Sequence, residues 1–442
     1  MNLRIDRTET FTVFAVEDNG ILQDLRLKET AETDVCLFLA KVKKFLSAVN
    51  GAILDLGEAQ AYLGWQDLDP EHKSRGAKIE ECLTLEERIL VQIRREESGQ
   101  KADKATLRLS IPGAYGVYLP KEAGISISSK IRDQQVRLQL ESQVKIKETE
   151  GVVLRTIAAQ ASMEAVNREI DRLRHAYETV RRKTDQAKSL GRFALDLSSE
   201  PAFFVRWISQ SDCLYSNDLS DQSWAEEWGL SFVHEENPLD AVWNNFLTLR
   251  TKQVDLPGME ANILVEEMET LTAIDVNRQS QAKASVASVD RQAVREAMRQ
   301  LRLRNIGGMV LMDIIDKRGA ARTARVATSE KKKDSHQVRV YGPSNMGLIE
   351  LTRSKRGASL KQMTGSPDQP TGQYALWRLA LALRKCPKAN AVSIEGSRAL
   401  IETLQGAIGE LGSEKLVFSG SITWKIFNQN QEFLRILPVL RK

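Results

Sequence analysis

The chain has 442 residues, 42% of them hydrophobic and 28% charged, with a formal net charge of +4. At roughly 100–200 residues per domain this predicts two to four domains with sizeable cores, and the balance excludes a disordered chain. No run of about 18 apolar residues occurs, which excludes a membrane-spanning helix, and the acid-containing start MNLRIDRTETFTVF does not read as a signal peptide.

Residues 11 to 57 read as β-rich. Two apolar runs flank Asp18-Asn19-Gly20, a hairpin signal, and Asn50-Gly51 marks a second turn before AYLGW. Short strands at this spacing suggest a small barrel. Residues 66–84 are polar and read as a loop or insertion. Strands resume at RILVQIRREESGQKADKATLRLSI, with ESGQKADK as a basic loop. GAYGVYLP and GVVLRTIAA flank a segment expected to hold two short helices. A long amphipathic helix follows, on which Val166, Ile170, Leu173, Tyr177 and Val180 recur at spacings of four and three.

From residue 195 to 250 the chain alternates strands (AFFVRWI, LSFV) with a helix at PLDAVWNNFLTLR. QVDLPGMEANILVEEMETLTAIDVN reads as two strands joined by a Pro-Gly turn. The helix VDRQAVREAMRQLRLRN ends at Gly307-Gly308, expected to supply the left-handed cap, and the strand MVLMDIID follows at once. A basic run then carries Lys317, Arg318, Arg322, Arg325, Lys331, Lys332, Lys333 and Arg339. Such a run is either a solvated face or a phosphate-contacting surface. QVRVYG and MGLIELTR read as strands. Arg356 to Gln373, rich in Gly, Ser, Pro and Gln, reads as a linker to a small separate α/β module: helix YALWRLALALRK, strand NAVSIEG, helix RALIETLQGAI and strand KLVFSG.

Cys36, Cys82, Cys213 and Cys386 lie far apart with no C-x-x-C pair, which argues against a zinc site within one segment. Reduced thiols in a cytoplasmic chain are the simplest reading. The four histidines are equally scattered, and no H-E-x-x-H occurs.

Chemistry concentrates in the centre. Alternation along LTAIDVN puts Leu271, Ala273, Asp275 and Asn277 on one face, with Thr272, Ile274 and Val276 facing a core. Asp313 lies near the end of MVLMDIID. Strand, helix, Gly-Gly and strand in this order can set the two strands side by side, so that their acids converge. Two adjacent carboxylates repel unless a cation compensates them. Hard oxygen ligands suit Mg²⁺ or Mn²⁺, and the Asn277 amide suits orienting a water or a phosphate oxygen. The chemistry this supports is metal-assisted attack of water on a phosphodiester. Strand-end aspartates are also common caps and turn formers, so the residues alone leave both roles open.

LTAIDVN, LRLRNIGGMVLMDIID and MGLIELTR, in this order and spacing, closely resemble the catalytic core of the ribonuclease E/G family. The resemblance extends upstream through VQIRREESGQKADKATLRLSIPGAYGVYLP, GISISSKI and GVVLRTIAA, and covers about residues 10 to 360. It implies a bacterial endoribonuclease that cuts single-stranded, often A/U-rich RNA with Mg²⁺, leaving a 5′-phosphate and a 3′-hydroxyl. It implies an α+β multidomain fold. An RNase H-like part (1–33 and 201–251) would carry an inserted OB-fold RNA-binding barrel (34–107) and a 5′-sensor region (108–200). A DNase I-like catalytic domain (252–360), a linker (361–373) and a small C-terminal domain (374–442) would follow.

By this resemblance Asp275 and Asp313 are the metal-binding catalytic acids and Asn277 supports them. Asp316, three residues past Asp313 and so on the opposite face of a regular strand, is expected to be structural or to support the metal ligands from behind. Tyr62 and Lys101 match RNA-contacting residues, while a second stacking aromatic of the family falls on Ile53. Arg155 and Thr156, with a backbone contribution at Val117, match the pocket for a 5′-monophosphate; a guanidinium fork beside a hydroxyl suits a terminal phosphate. A second sensor arginine of the family falls on Gln337, with Arg339 two residues on. Where the family carries zinc-sharing cysteines, MTGSPDQPTGQ has none. The expectation is therefore no structural zinc, a homodimer, if formed, not linked by zinc, and no degradosome scaffold tail. Processing of ribosomal or transfer RNA and messenger decay are the implied roles. The alternative is a catalytically weakened RNA-binding protein of the same family.

Overall fold

The computed structural model describes residues 1–30, 36–95, 103–195, 203–204, 206–279, 283–355, 357–385, 391–411, 421–427 and 434–438. The chain divides into two compact units, Glu32–Ser209 and the combination of Met1–Ala31 with Gln210–Lys442.

The first unit opens with a barrel. Strands Cys36–Leu46, Gly51–Asp55, Gln60–Gly64, Asp103–Thr106 and Arg88–Arg95 pair in that order, and the last returns to the first. This closed five-stranded barrel is OB-like, and a sixth strand, Gly191–Ala194, adds to the start of its first strand. Val42, Ala52, Leu54, Ala61, Leu63, Val91 and Ala105 fill its interior. Asn50 takes the left-handed conformation (φ 47°) that turns the chain into the second strand. The expected polar loop at 66–84 is in part core. Leu68, Ile79, Cys82 and Leu83 are buried against the barrel, and two short helices, Pro70–Lys73 and Ile79–Cys82, carry the segment. Burial opposes ionisation of Asp69, but hydrogen bonds from the His72 side chain and backbone and the Lys121 ammonium outweigh it and hold the carboxyl below its usual range.

Beyond the barrel, Ile111–Pro112, Gly116–Leu119, Gly151–Leu154 and Gly124–Ile127 form a second sheet. The helix Met163–Gln186 packs on it and buries all five apolar residues of the predicted stripe. Between the two glycine-led strands lie one strand and one helix, Gln134–Gln143, not two helices. Phe203 and Phe204 lie in helical backbone rather than in the strand expected at AFFVRWI.

The second unit contains a five-stranded sheet in the order Ser231–His234, Cys213–Ser216, Asn2–Arg7, Phe11–Asp18, Ile21–Glu29. Asn19 (φ 50°) and Gly20 (φ 77°) make the predicted hairpin turn. One face of this sheet, through Phe11, Val13, Ala15 and Leu27, shares a core with Tyr374, Trp377, Val392, Ile394 and Leu400. Trp377 is fully buried among Phe11, Trp243, Phe246 and Tyr374, with ring centroids 5.2–5.9 Å away. The C-terminal elements are therefore separate in chain order but not in packing. Their described parts are helices Gly372–Arg384 and Arg398–Leu411 and strands Ala391–Ser397, Ser421–Phe427 and Leu434–Pro438. The expected strand KLVFSG lies outside the described residues.

The central sheet has six strands: Gln253–Asp255, Ala261–Glu267, Thr272–Arg278, Gly308–Asp313, Ile349–Arg353 and Val338–Pro343, in that spatial order. The segment read as two strands around Pro257-Gly258 supplies three. Helices Val286–Leu303 and Ala320–Glu330 share one core with Ile263, Ile274, Val276, Val310, Met312 and Leu351 of the sheet. The left-handed stop of the first helix is Asn305 (φ 50°), not the Gly-Gly pair. The Ile306 amide reaches the Leu301 carbonyl (2.9 Å) and the Asn305 amide reaches that of Arg302 (3.1 Å), a Schellman closure sealed by buried Ile306 and Leu301. Gly307 serves close approach instead, since a Cβ there would meet Lys355 Cα at 2.7 Å.

The expected linker is also ordered where described. Ser359 and Gln362 form a capping box on the short helix Leu360–Thr364. The Arg250 guanidinium donates to the carbonyls of Thr364, Gly365 and Ser366 (3.1, 3.3 and 3.0 Å) and lies 3.8 Å from the Tyr374 ring centre. Glycine and proline make this segment a tight turn rather than a tether. Arg250→Ala should lower unfolding stability by about 2–3 kcal/mol in denaturant titration, because it strands several carbonyls at once; a loss below about 0.5 kcal/mol would show that the clamp is incidental.

Candidate active site

Three predicted residues meet at one end of the central sheet. Thr272–Arg278 and Gly308–Asp313 run parallel, and Asp275 is the direct register partner of Asp313. The crossover helix Val286–Leu303 makes this possible, since neighbouring parallel strands need a connection of a dozen or more residues. Alternation holds as read: Thr272, Ile274 and Val276 are buried, while Asp275 and Asn277 are exposed. Asn277 Nδ2 donates to Asp275 Oδ2 at 2.9 Å, so the amide orients that carboxylate. The Lys317 ammonium is ion-paired with Asp313 Oδ1. It supplies positive charge to one of two acids that would otherwise repel.

Asp316 lies past the strand end, caps the turn Lys317–Gly319, and accepts the Gly319 amide at 3.0 Å. What fixes the loop after Asp313 is a residue the sequence reading did not single out. Asp290, fully buried on the crossover helix, accepts the amides of Ile315 (3.0 Å) and Asp316 (2.8 Å). Its position one helical turn into an otherwise amphipathic segment was the available signal: a carboxylate on the buried face must find donors.

In the other unit, Tyr62 is half-buried and lies flat over Gly51, where a Cβ would come within 2.5 Å of its ring. Strand register aligns Lys44, Ile53, Tyr62 and Lys104 in one row across four strands, on the side opposite the buried Ala52, Leu54, Ala61 and Leu63. Lys104 also pairs with Asp67 at 3.3 Å. Two lysines flanking an aliphatic and an aromatic residue make an amphipathic strip suited to a base and its phosphates. Lys101 lies outside the described residues.

Val117 and Arg155 share the outer face of the second sheet. Val117 pairs with Val153, and Arg155 follows in extended backbone with its amide bonded to the Tyr115 carbonyl at 2.8 Å. Thr156 is exposed, its hydroxyl 3.0 Å from that of Ser128. Glu169, buried on the long helix, accepts the amides of Ala114 (2.6 Å) and Tyr115 (2.8 Å) and so pins the turn that feeds Val117. Burial pushes its carboxyl above the usual range, against those hydrogen bonds. Gln337 and Arg339 are exposed and belong to the central sheet's unit, not to this one.

The donor set of two exposed carboxylates and an amide is one of hard oxygens. Among the described residues no group of three or more His, Cys, Asp or Glu is gathered that could hold a metal, and no helix is long and apolar enough to cross a membrane. The class this defines is an α+β protein that combines an OB-like barrel with a paired-carboxylate centre on a sheet end. The family follows from comparison with known proteins. The model of the "Ribonuclease E/G family" matches residues 110–211 and 237–356, half of the chain, and the chain belongs to that family. It is 26% identical over 396 residues to "Ribonuclease E" of Synechocystis sp., covering 81% of this chain and 58% of the relative. It is 27% identical over 366 residues to "Ribonuclease E" of Nostoc sp., covering 74% and 52%. To "Ribonuclease G" of Haemophilus influenzae it is 23% identical over 405 residues, covering 82% and 81%. The chain thus spans little more than half the length of the two ribonuclease E relatives.

Asp290→Ala should release the loop that follows Asp313. The expected result is faster amide hydrogen exchange at Ile315 and Asp316 and a stability loss of about 2–3 kcal/mol; unchanged exchange at both amides would remove Asp290 from the positioning role.

Proposed function

We propose that this protein is an endoribonuclease that cuts single-stranded, A/U-rich RNA with Mg²⁺ to 5′-phosphate and 3′-hydroxyl products. The observation that carries the proposal is the register pairing of Asp275 with Asp313, with Asn277 bonded to Asp275. Family membership supports the reaction class. We read the five-stranded sheet as RNase H-like, the six-stranded sheet as the DNase I-like catalytic part, and the sheet bearing Val117 as the 5′-end sensor.

Asp275 and Asp313 would hold the cation, and their two-carboxylate donor set fits Mg²⁺, which keeps several waters. When bound, the ion supplies Lewis-acid polarisation of the phosphate and lowers the pKa of water. The residues do the rest. Asn277 holds the Asp275 carboxylate in one orientation. Lys317 compensates Asp313 and must move aside, or share that oxygen, as charge is loaded. Tyr62, Lys44 and Lys104 on the barrel would hold bases and backbone, and the family resemblance adds Lys101 to them. Arg155 and Thr156, beside Val117, would receive a 5′-phosphate. Processing of stable RNA precursors or decay of messengers in the cytoplasm fits this chemistry. A catalytically weakened RNA-binding protein is the second reading, favoured by Ile53 in the row where a second stacking ring would stand.

The test uses a 5′-monophosphorylated A/U-rich oligonucleotide. Wild type should cut only with Mg²⁺ or Mn²⁺, and Asp275→Asn or Asp313→Asn should lower kcat/KM by at least about 100-fold. Binding without cutting by wild type would decide for the second reading, and normal cutting by Asp275→Asn would displace the named site. In the same assay Arg155→Gln should erase any rate advantage of a 5′-monophosphate over a 5′-hydroxyl. A preserved advantage would place the sensor elsewhere.

A further inference from the structure

Beyond Lys317, the basic run after Asp313 has no part in the roles above. Its helix, Ala320–Glu330, buries Ala320, Thr323, Ala324 and Ala327. These small side chains let it lie close on the core. Arg322 and Arg325 are exposed on its other side, three residues apart and so on one stripe, and Arg318 and Lys332 are exposed in the 3-10 turns Lys317–Gly319 and Lys331–Lys333 that flank it. None of the four is ion-paired among the described residues. The three carboxylates in this stretch are each committed elsewhere. Asp316 caps its own turn, Glu330 pairs with Lys333, and Asp334 is buried with Arg353 at 2.9 Å. The stripe is therefore uncompensated positive charge, not one half of a surface ion-pair network.

Its placement follows from the topology. Gly308–Asp313 and Val338–Pro343 both run antiparallel to Ile349–Arg353, hence parallel to each other. The helix between them must run back along the sheet. It starts at the end that carries Asp275 and Asp313, where Lys317 touches Asp313, and leads away from it. At about 1.5 Å per residue in the helix and about 2.0 Å in the 3-10 turns that flank it, the stretch from Arg318 to Lys332 is roughly 20–25 Å long. A stacked strand places one phosphate about every 3.4 Å, so the stripe spans several successive phosphates.

We propose that Arg318, Arg322, Arg325 and Lys332 form a rail for the phosphates of single-stranded RNA on one side of the cleavage centre. The proposal rests on the RNA-cutting reading above and adds a sequence-independent contact outside the barrel and the sensor. Guanidinium forks match phosphate oxygens at low hydration cost, and four cations in line set the direction of the strand without reading its bases. A substrate too short to leave the centre would not reach it.

The test is binding in chelator, where no cutting occurs. A fluorescein-labelled A/U-rich RNA of about 20 nucleotides is titrated with the full chain from about 50 to about 300 mM salt. Removing three phosphate contacts with Arg318→Gln, Arg322→Gln and Arg325→Gln together should reduce the slope of log affinity against log salt by about 2, at about 0.7 per contact. The triple Arg→Lys variant, which keeps charge, should retain most of the slope, and so separates lost contacts from lost folding. An unchanged slope in the Gln variant, with wild type binding and cutting normally, overturns the rail alone. Wild type that neither binds nor cuts RNA overturns the RNA-cutting reading, and the rail with it.

Discussion

Two carboxylates facing each other across a parallel strand pair are a constraint that the rest of the second unit serves. Like charges brought together disfavour each other's ionised forms, so a cation nearby stabilises the arrangement. In this protein Lys317 supplies part of that compensation to Asp313, and the Asn277 amide satisfies Asp275. A parallel pair also demands a long crossover. The helix Val286–Leu303 provides it, Asn305 stops it, and Gly307 lets the returning chain pass the Lys355 backbone.

That helix does more than connect. Its buried Asp290 reaches the loop that follows Asp313, so the element that brings the strands together also fixes the chain beyond the second acid. Glu169 plays a comparable part in the other unit, where a buried carboxylate on a helix pins the turn ahead of Val117. In both places a helix carboxylate, costly to bury, is offset by backbone amides of a loop or turn next to a predicted site residue. The position of each loop is thereby tied to the packing of a helix rather than to the loop's own sequence.

The segment between the central sheet and the C-terminal helices shows how composition can mislead. Gly, Ser, Pro and Gln between residues 356 and 373 describe a tether by content. The capping box at Ser359 and the Arg250 clamp instead make a compact turn. Those same residue types favour tight turns whenever a partner fixes them, and Arg250 lies over a hundred residues earlier in the chain. The shared core around Trp377 has the same origin. Its neighbours come from residues 11, 243, 246 and 374, and no local window contains them.

The sequence by itself determined the periodic and local features. The long helix and its five buried positions, the Asn19-Gly20 hairpin, the outward face of Asp275 and Asn277, and the motifs that mark the family were all legible, because each depends on spacing within a few turns or on an unbroken motif. The barrel was legible as a tendency, while its closure was not, since that rests on Cys36–Leu46 pairing with Arg88–Arg95. Only the tertiary structure decided that Asp275 stands opposite Asp313, that Asp290 holds the next loop, that Lys44 and Lys104 flank the Ile53–Tyr62 pair, and that the C-terminal helices share the first sheet's core. These depend on register and on contacts between distant segments, where one residue of slip would turn every side chain to the other face.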